Sequence, residues 1–312
     1  MEEGLPTGYD SLVLGVMYES GCKMYEHAAA VKNNTALYDY YKANSSSYAE
    51  ETDHWYTTKD VTLLTALQDE QWDVVVIQEM NTYATVDANY RTGDMETVIN
   101  YIDSKLAKDP IILWNLIWAN PEIPEGYDES NYKESWIYKI LQPYSAYANV
   151  VSKWEAYYET LGNDDQTMYS EIVRNYNTYV ATNRNVEGAL LSGTAIQQAK
   201  NWLMDNYGYS EVAAEQAMYR DYTHMSDYGR TMVAYLWYAQ LMELVDGDNF
   251  DWATDVVDAG LQFTTVPKAI RHKNFRTEDL VLTDDQQNLI IDVITEVLKD
   301  DDYSVEKPVA EQ

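Results

Sequence analysis

The chain has 312 residues with 21 Lys+Arg against 52 Asp+Glu, a net charge of −31, or about one unpaired negative charge per ten residues. That balance excludes sequence-independent nucleic-acid binding and docking on anionic lipid, both of which need clustered Lys and Arg. A single cysteine excludes an intrachain disulfide framework and an all-cysteine metal site, yet leaves the compartment open. With 46% hydrophobic and 23% charged residues the mixture is otherwise globular, and the length suffices for a core without crosslinks. The aromatic residues are 29 Tyr and 9 Trp against only 3 Phe. Such rings close a core while keeping a polar handle, and they also stack on sugars.

The first residues, MEEGLPTGYD, have neither a basic nor an apolar region of the kind a signal peptide needs. Ser11–Tyr18 (SLVLGVMY) reads as a strand, followed by a turn at 19–21. Loose periodicity through Tyr25, Ala28, Val31 and Leu37 predicts a helix over Cys22–Lys42, interrupted by NSSS at 44–47. His54–Asp60 reads as extended and Val61–Gln68 as a short helix. Trp72–Gln78 (WDVVVIQ) has the continuous apolar run of a parallel strand buried on both faces. Its polar end, Gln78–Asn81, falls where a doubly wound sheet presents side chains to a ligand.

Met95–Leu106 follows as a helix, and Pro110 opens a strand that runs to a polar end at Asn120. Helices are expected over Ser135–Leu161, broken or kinked at Pro143, and over Thr167–Thr182. Gly188–Ser192 reads as a short strand, Gly193 as a tight exit and Thr194–Met204 as a helix. Ser226 is placed to cap a helix through Leu244. Thr283 and Gln286 have capping-box spacing ahead of apolar positions 289/290, 293/294 and 297/298. No apolar stretch reaches the roughly twenty residues of a membrane span. Strand and helix alternation predicts an α/β layered fold. Residues 1–300 are expected to form one domain, 246–300 being a helical extension packed on it and 301–312 a disordered tail.

Four histidines are present: His27, His54, His224 and His272. Asp221 and His224 lie three apart in YRDYTHMSDYGR (219–230), a loop just before a helix. A carboxylate beside an imidazole fixes its tautomer and raises its basicity, as serine activation requires, although the same spacing also serves a surface hydrogen bond. His27 either faces a site or lies on its helix surface. His54, next to Trp55, suits a sugar platform or a surface position, and His272 sits in the basic patch KAIRHKNFR (268–276). No zinc-ligand spacing, dinucleotide fingerprint or phosphate loop occurs, so no cofactor or metal is expected.

Five stretches in order, YESGC (18–22) with His27, WDVVVIQE (72–79), PIILWNLIWAN (110–120), LLSGTAIQQAK (190–200) and YRDYTHMSDYGR, resemble the SGNH hydrolase superfamily and more closely its DUF4886-like bacterial branch. The resemblance implies a flavodoxin-like three-layer α/β/α sandwich and cleavage of esters, often acyl groups on carbohydrate. It implies that His224 is the general base, Asp221 its orienting carboxylate, and Gly21 and Gln78 oxyanion donors. Asn81, Asn120, His27 and Ser20 are weaker candidates for substrate contact.

One departure stands out. The superfamily's nucleophile lies in a Gly-Asp/Asn-Ser element after a first, central strand, upstream of the segment matched by residues 11–22, and neither GDS nor GNS occurs in this sequence. Three explanations stand open: a chain that begins late, an inactive relative whose site binds without cleaving, or replacement of the nucleophile by Ser20 or Cys22. The expected partner is a small-molecule or carbohydrate ester. The alternative function is a non-catalytic carbohydrate-binding or interaction protein on the same fold. A soluble chain is expected; whether its parent is secreted or displayed on a bacterial surface, and its oligomeric state, are not legible.

Overall fold

The computed structural model describes residues 13–19, 21–44, 56–106, 110–120, 165–219, 224–246, 250–258, 260–261, 265–266 and 280–299. The expected helix over 135–161 with its Pro143 break, the tail at 301–312, and Ser20, His54, Asp221 and His272 lie outside them.

Strand β1 (Val13–Tyr18) leads through a turn to α1 (Met24–Asn33), then to β2 (Tyr38–Asn44) and β3 (Tyr56–Val61). These three strands form an antiparallel sheet in the order β1-β2-β3, with Val13 opposite Asn44 and Tyr18 opposite Asp39. The helix expected over 22–42 therefore stops early. Asn34 takes a left-handed conformation at φ 50°, its N–H bonds back to the last turn, and the chain turns extended. Tyr38 and Tyr40, two apart, then point inward and join Ala30, Val61 and Ala66 in a small core of their own. The local periodicity of 25, 28, 31 and 37 continued past a helix end that long-range pairing imposes.

The second sheet is parallel. It consists of β4 (Val74–Ile77), β5 (Ile111–Asn115) and β6 (Gly188–Leu190), in that order. Val74 pairs with Ile111 and Asn115 with Leu190. The short helices α2 (Leu63–Leu67), α3 (Asn81–Ala84) and α4 (Asp87–Tyr90) flank β4, and α5 (Asp94–Lys105) carries the chain to β5. The β5 strand ends at Asn115 rather than Asn120, because both partners end there, Ile77 of β4 opposite Trp114 and Leu190 of β6 opposite Asn115. Helix α6 (Asp165–Asn175) continues as a wider π-helical turn over Tyr176–Val180. After β6 come α7 (Ser192–Tyr207), α8 (Glu211–Met218), which sequence periodicity did not signal, α9 (Asp227–Asp246), a π-helical segment (Ala253–Asp258), the two-residue pair β7 (Thr265–Val266) and β8 (Leu280–Val281), and α10 (Asp284–Lys299).

Helix α1 packs on α5, while α7, α9 and α10 pack on one another. With the parallel sheet these layers make a mixed α/β sandwich. Its core joins Ile77, Ile112, Trp114 and Ile99 to Ile196, Leu236, Ile290 and Val293. The C-terminal helix is thus part of the main core. Two local expectations hold in detail. Ser226 Oγ accepts the N–H of Gly229 at 3.0 Å, and Thr283 and Gln286 exchange backbone and side-chain bonds at 3.0 and 3.3 Å. Gly193 is different. It lies in the first turn of α7 rather than in a tight exit, and its N–H donates to Leu116 O at 2.7 Å. A Cβ there would sit 2.3 Å from the Tyr169 ring and 2.6 Å from Ile117 O, so only glycine lets α7 approach the end of β5.

Candidate functional site

Polar side chains gather where the two longer parallel strands end. Gln78, exposed, follows β4, and Asn115, buried, closes β5; Asn115 Nδ2 donates to Gln78 Oε1 at 2.5 Å. Asn81 opens α3 and Asn120 ends the apolar run after β5. Both are buried, and Asn81 Nδ2 donates to Asn120 Oδ1 at 2.6 Å. The two weaker asparagine candidates, 39 residues apart, are therefore in direct contact.

The segment holding His224 is tied to the same end of the sheet. Tyr219 OH donates to the carbonyl of Ala119, beside Asn120, at 2.9 Å. Tyr219 and Met225 form an isolated antiparallel bridge, and Ser226 N donates to Met218 O at 2.8 Å. His224, half-buried, sits just inside this closure. Ser226 Oγ donates to Ala217 O at 2.6 Å besides capping α9, so its hydroxyl is engaged both as donor and as acceptor in local structure.

The turn between β1 and α1 supplies the third part. Gly21 is exposed and has φ +67°, a conformation that residues with a Cβ rarely adopt. Glu79, the residue after Gln78, holds this turn. Its carboxylate is 3% exposed and accepts the N–H of Met24 at 3.3 Å and of Met80 at 2.8 Å. Burial pushes its pKa up to about 7, against the opposing pull of those two N–H groups and of Lys23. Lys23, also buried, contacts Glu26 at 3.3 Å and lies 5.6 Å over the Tyr83 ring.

Cys22 and His27 adjoin this turn without forming an activated pair. Cys22 Sγ is 3.6 Å from His27 Nδ1, but burial, with Glu26 and Glu19 adding, pushes the thiol up to about 12. A thiol so placed is a poor nucleophile at neutral pH. Burial lowers the His27 pKa to about 4, against Glu26. The ring stacks on Tyr38 with centroids 5.5 Å apart, and Nδ1 bonds Tyr38 OH at 2.8 Å.

The structure thus brings Gln78, Asn81 and Asn120 to one end of the parallel sheet with the His224 loop, and ties the Gly21 turn to the residue after Gln78. His27 faces Tyr38 of the antiparallel sheet. Asn115 is the residue that sequence reasoning passed over, while Glu79 was included in the polar strand end at 78–81 without a role of its own. The signal for Asn115 was its position as a lone amide in the apolar run IILWNLIW. Among the described residues no group of three or more His, Cys, Asp or Glu is arranged to hold a metal ion, and no helix is long and apolar enough to cross a membrane.

Residues 8–135 match the family described as "Domain of unknown function (DUF4886)". The match spans β1 through β5, and so takes in the Gly21 turn, Glu79 and both amide pairs. A crystal structure of a DUF4886 family protein from Bacteroides uniformis ATCC 8492 superposes with a TM-score of 0.59 at 17% identity, covering 94% of this chain and 85% of that one. At that identity the likeness establishes the α/β fold. No curated protein matches.

Proposed function

We propose that this chain forms the base and oxyanion-binding side of an SGNH-like serine ester hydrolase acting on acylated carbohydrate, with residues 1–300 as one catalytic domain. The observation that supports it is the set of amide side chains, Gln78, Asn81, Asn115 and Asn120, at the ends of adjacent parallel strands, beside the loop that carries His224. Acyl transfer needs a base and preorganised donors there. In this reading His224 takes the proton of the attacking serine and returns it to the leaving alkoxide. Asp221 holds the imidazole. The Gly21 N–H and the Gln78 amide donate to the tetrahedral oxyanion, each lowering the barrier by roughly 3–4 kcal/mol. With a charge of −31 the surface repels polyanionic substrates, which favours neutral acylated sugars.

The serine of a Gly-Asp/Asn-Ser element is not among the 312 residues. The proposal therefore requires that element to be encoded in frame upstream of Met1. The experiment reads that sequence and measures hydrolysis of p-nitrophenyl acetate and acetylated xylan by the extended chain and its His224→Ala form. The expected result is turnover that falls by roughly 10²–10⁴-fold in the variant. Equal, near-background rates overturn it and leave a ligand-binding protein on the same fold.

A further inference from the structure

A side-chain amide rotated by half a turn has almost the same shape, so packing alone does not decide whether Gln78 presents its oxygen or its nitrogen outward. A chain of hydrogen bonds from three elements does. Trp237, on α9, donates its indole N–H to Ser192 Oγ at 2.8 Å. Ser192, the first residue of α7, donates to Asn115 Oδ1 at 2.5 Å, and Asn115 Nδ2 donates to Gln78 Oε1 at 2.5 Å. An indole nitrogen only donates, so Ser192 receives from it. Ser192 is 0% exposed, and a hydroxyl proton buried so deeply needs an acceptor, which Asn115 Oδ1 provides. Asn115, 1% exposed, then turns its NH2 toward Gln78. The Gln78 oxygen is occupied and its Nε2, on an exposed residue, has no partner among the described residues.

We propose that Trp237, Ser192 and Asn115 are positioning residues that set the polarity of the Gln78 amide, so that it meets a ligand carbonyl or carboxylate oxygen as a donor. The identity of that oxygen as the acyl oxygen of an ester rests on the hydrolase reading above; the polarity does not. Trp237→Phe keeps the ring and deletes the N–H at the head of the chain. Ser192→Ala deletes the middle link.

The test is solvent exchange of the side-chain amide protons in the ¹⁵N-labelled full chain, with the two resonances assigned by their loss in Gln78→Glu and Asn115→Asp. The expected result is an Asn115 NH2 that exchanges at least about tenfold more slowly than the Gln78 NH2, a difference that shrinks in Trp237→Phe and in Ser192→Ala. A Gln78 NH2 that exchanges more slowly than the exposed Gln216 side chain overturns the proposed polarity. An unchanged order and ratio in both variants overturns the positioning role. Should Trp237→Phe not fold, Ser192→Ala carries the comparison. The polarity is decided in the unsubstituted chain by the Gln78 NH2 alone, measured against the exposed Gln216 side chain, because the buried Asn115 NH2 is protected in either orientation. An extended chain without esterase activity that keeps the expected exchange order removes only the hydrolase reading. A protected Gln78 NH2 removes the relay whether or not esters are cleaved.

Discussion

The carboxylate of Glu79 accepts the backbone N–H of Met24, 55 residues earlier in the chain, from the end of a strand to the first turn of a helix. A buried carboxylate at a helix N-terminus satisfies a donor that the helix itself leaves open and lies at the favourable end of its dipole. The same carboxylate binds Met80 N, so one side chain joins the Gly21 turn to the residues that follow Gln78. If the two oxyanion donors act together, Glu79→Ala lowers kcat of an ester-hydrolysing form by roughly tenfold or more through misplacement of donors, with KM changed less. Steady-state kinetics on p-nitrophenyl acetate checks the split.

Glu79 also carries a pH dependence. Its pKa is raised from 4.5 to about 7 by burial, so between those values the folded chain holds a proton that the unfolded chain has lost. Stability from this group is fully present below about pH 4.5 and falls as pH rises toward 7, by about 3 kcal/mol in all. Urea unfolding of Glu79→Gln should lack this decline between pH 5 and pH 8. An unchanged slope would remove Glu79 as its source.

His27 works in the opposite direction. Burial lowers its pKa from 6.5 to about 4, so in that window the unfolded chain binds the extra proton. Its contribution is present above pH 6.5 and is lost as pH falls toward 4, again by about 3 kcal/mol. Between about pH 4.5 and 6.5 the two slopes oppose each other. Glu79→Gln should therefore gain stability with rising pH there and His27→Gln should lose it, a difference in sign that unfolding midpoints at pH 5 and 6.5 read directly.

Gly193→Ala places a Cβ against the Tyr169 ring and Ile117 O, the second of which is backbone and cannot move aside. A cost of about 3 kcal/mol is expected, with a matching fall in Tm. Gly188→Ala is the control, since its nearest contact is Leu113 Cδ2 at 3.6 Å, an ordinary distance. Equal Tm values for the two variants would contradict the close approach of α7 to β5.

Lys200 and Glu215 join α7 to α8 by a buried ion pair at 3.0 Å. Lys200→Met removes this buried positive charge from beside the Glu215 carboxylate and should cost about 3–5 kcal/mol, while Lys200→Met with Glu215→Leu recovers most of it. Denaturant unfolding of the single and double variants measures the difference. A double variant no more stable than the single would show that the pair is needed for more than charge balance.

What the sequence by itself determined is what a few neighbouring residues settle. The apolar runs around 74–77 and 111–115 specify parallel strands, because β-branched and apolar residues favour pairing that takes them out of water. The β5 strand is buried from Ile112 on, while β4 is half-buried except at Ile77, rather than buried on both faces as its sequence suggested. Ser226 and Thr283 specify helix starts, because a hydroxyl reaches an N–H three residues on whatever surrounds it. The five ordered stretches also pointed to the α/β class. Only the tertiary structure decided that Tyr38–Asn44 is a strand, since its partners come from β1 and β3 on either side. It likewise decided that Asn81 meets Asn120, that Glu79 holds Met24, and that hydrogen bonds link Trp237 to Gln78 through Ser192 and Asn115. Those bonds join groups tens of residues apart, and their geometry exists only once the sheet and its helices have packed. Residue type supplies the donors and acceptors; the fold chooses which of them meet.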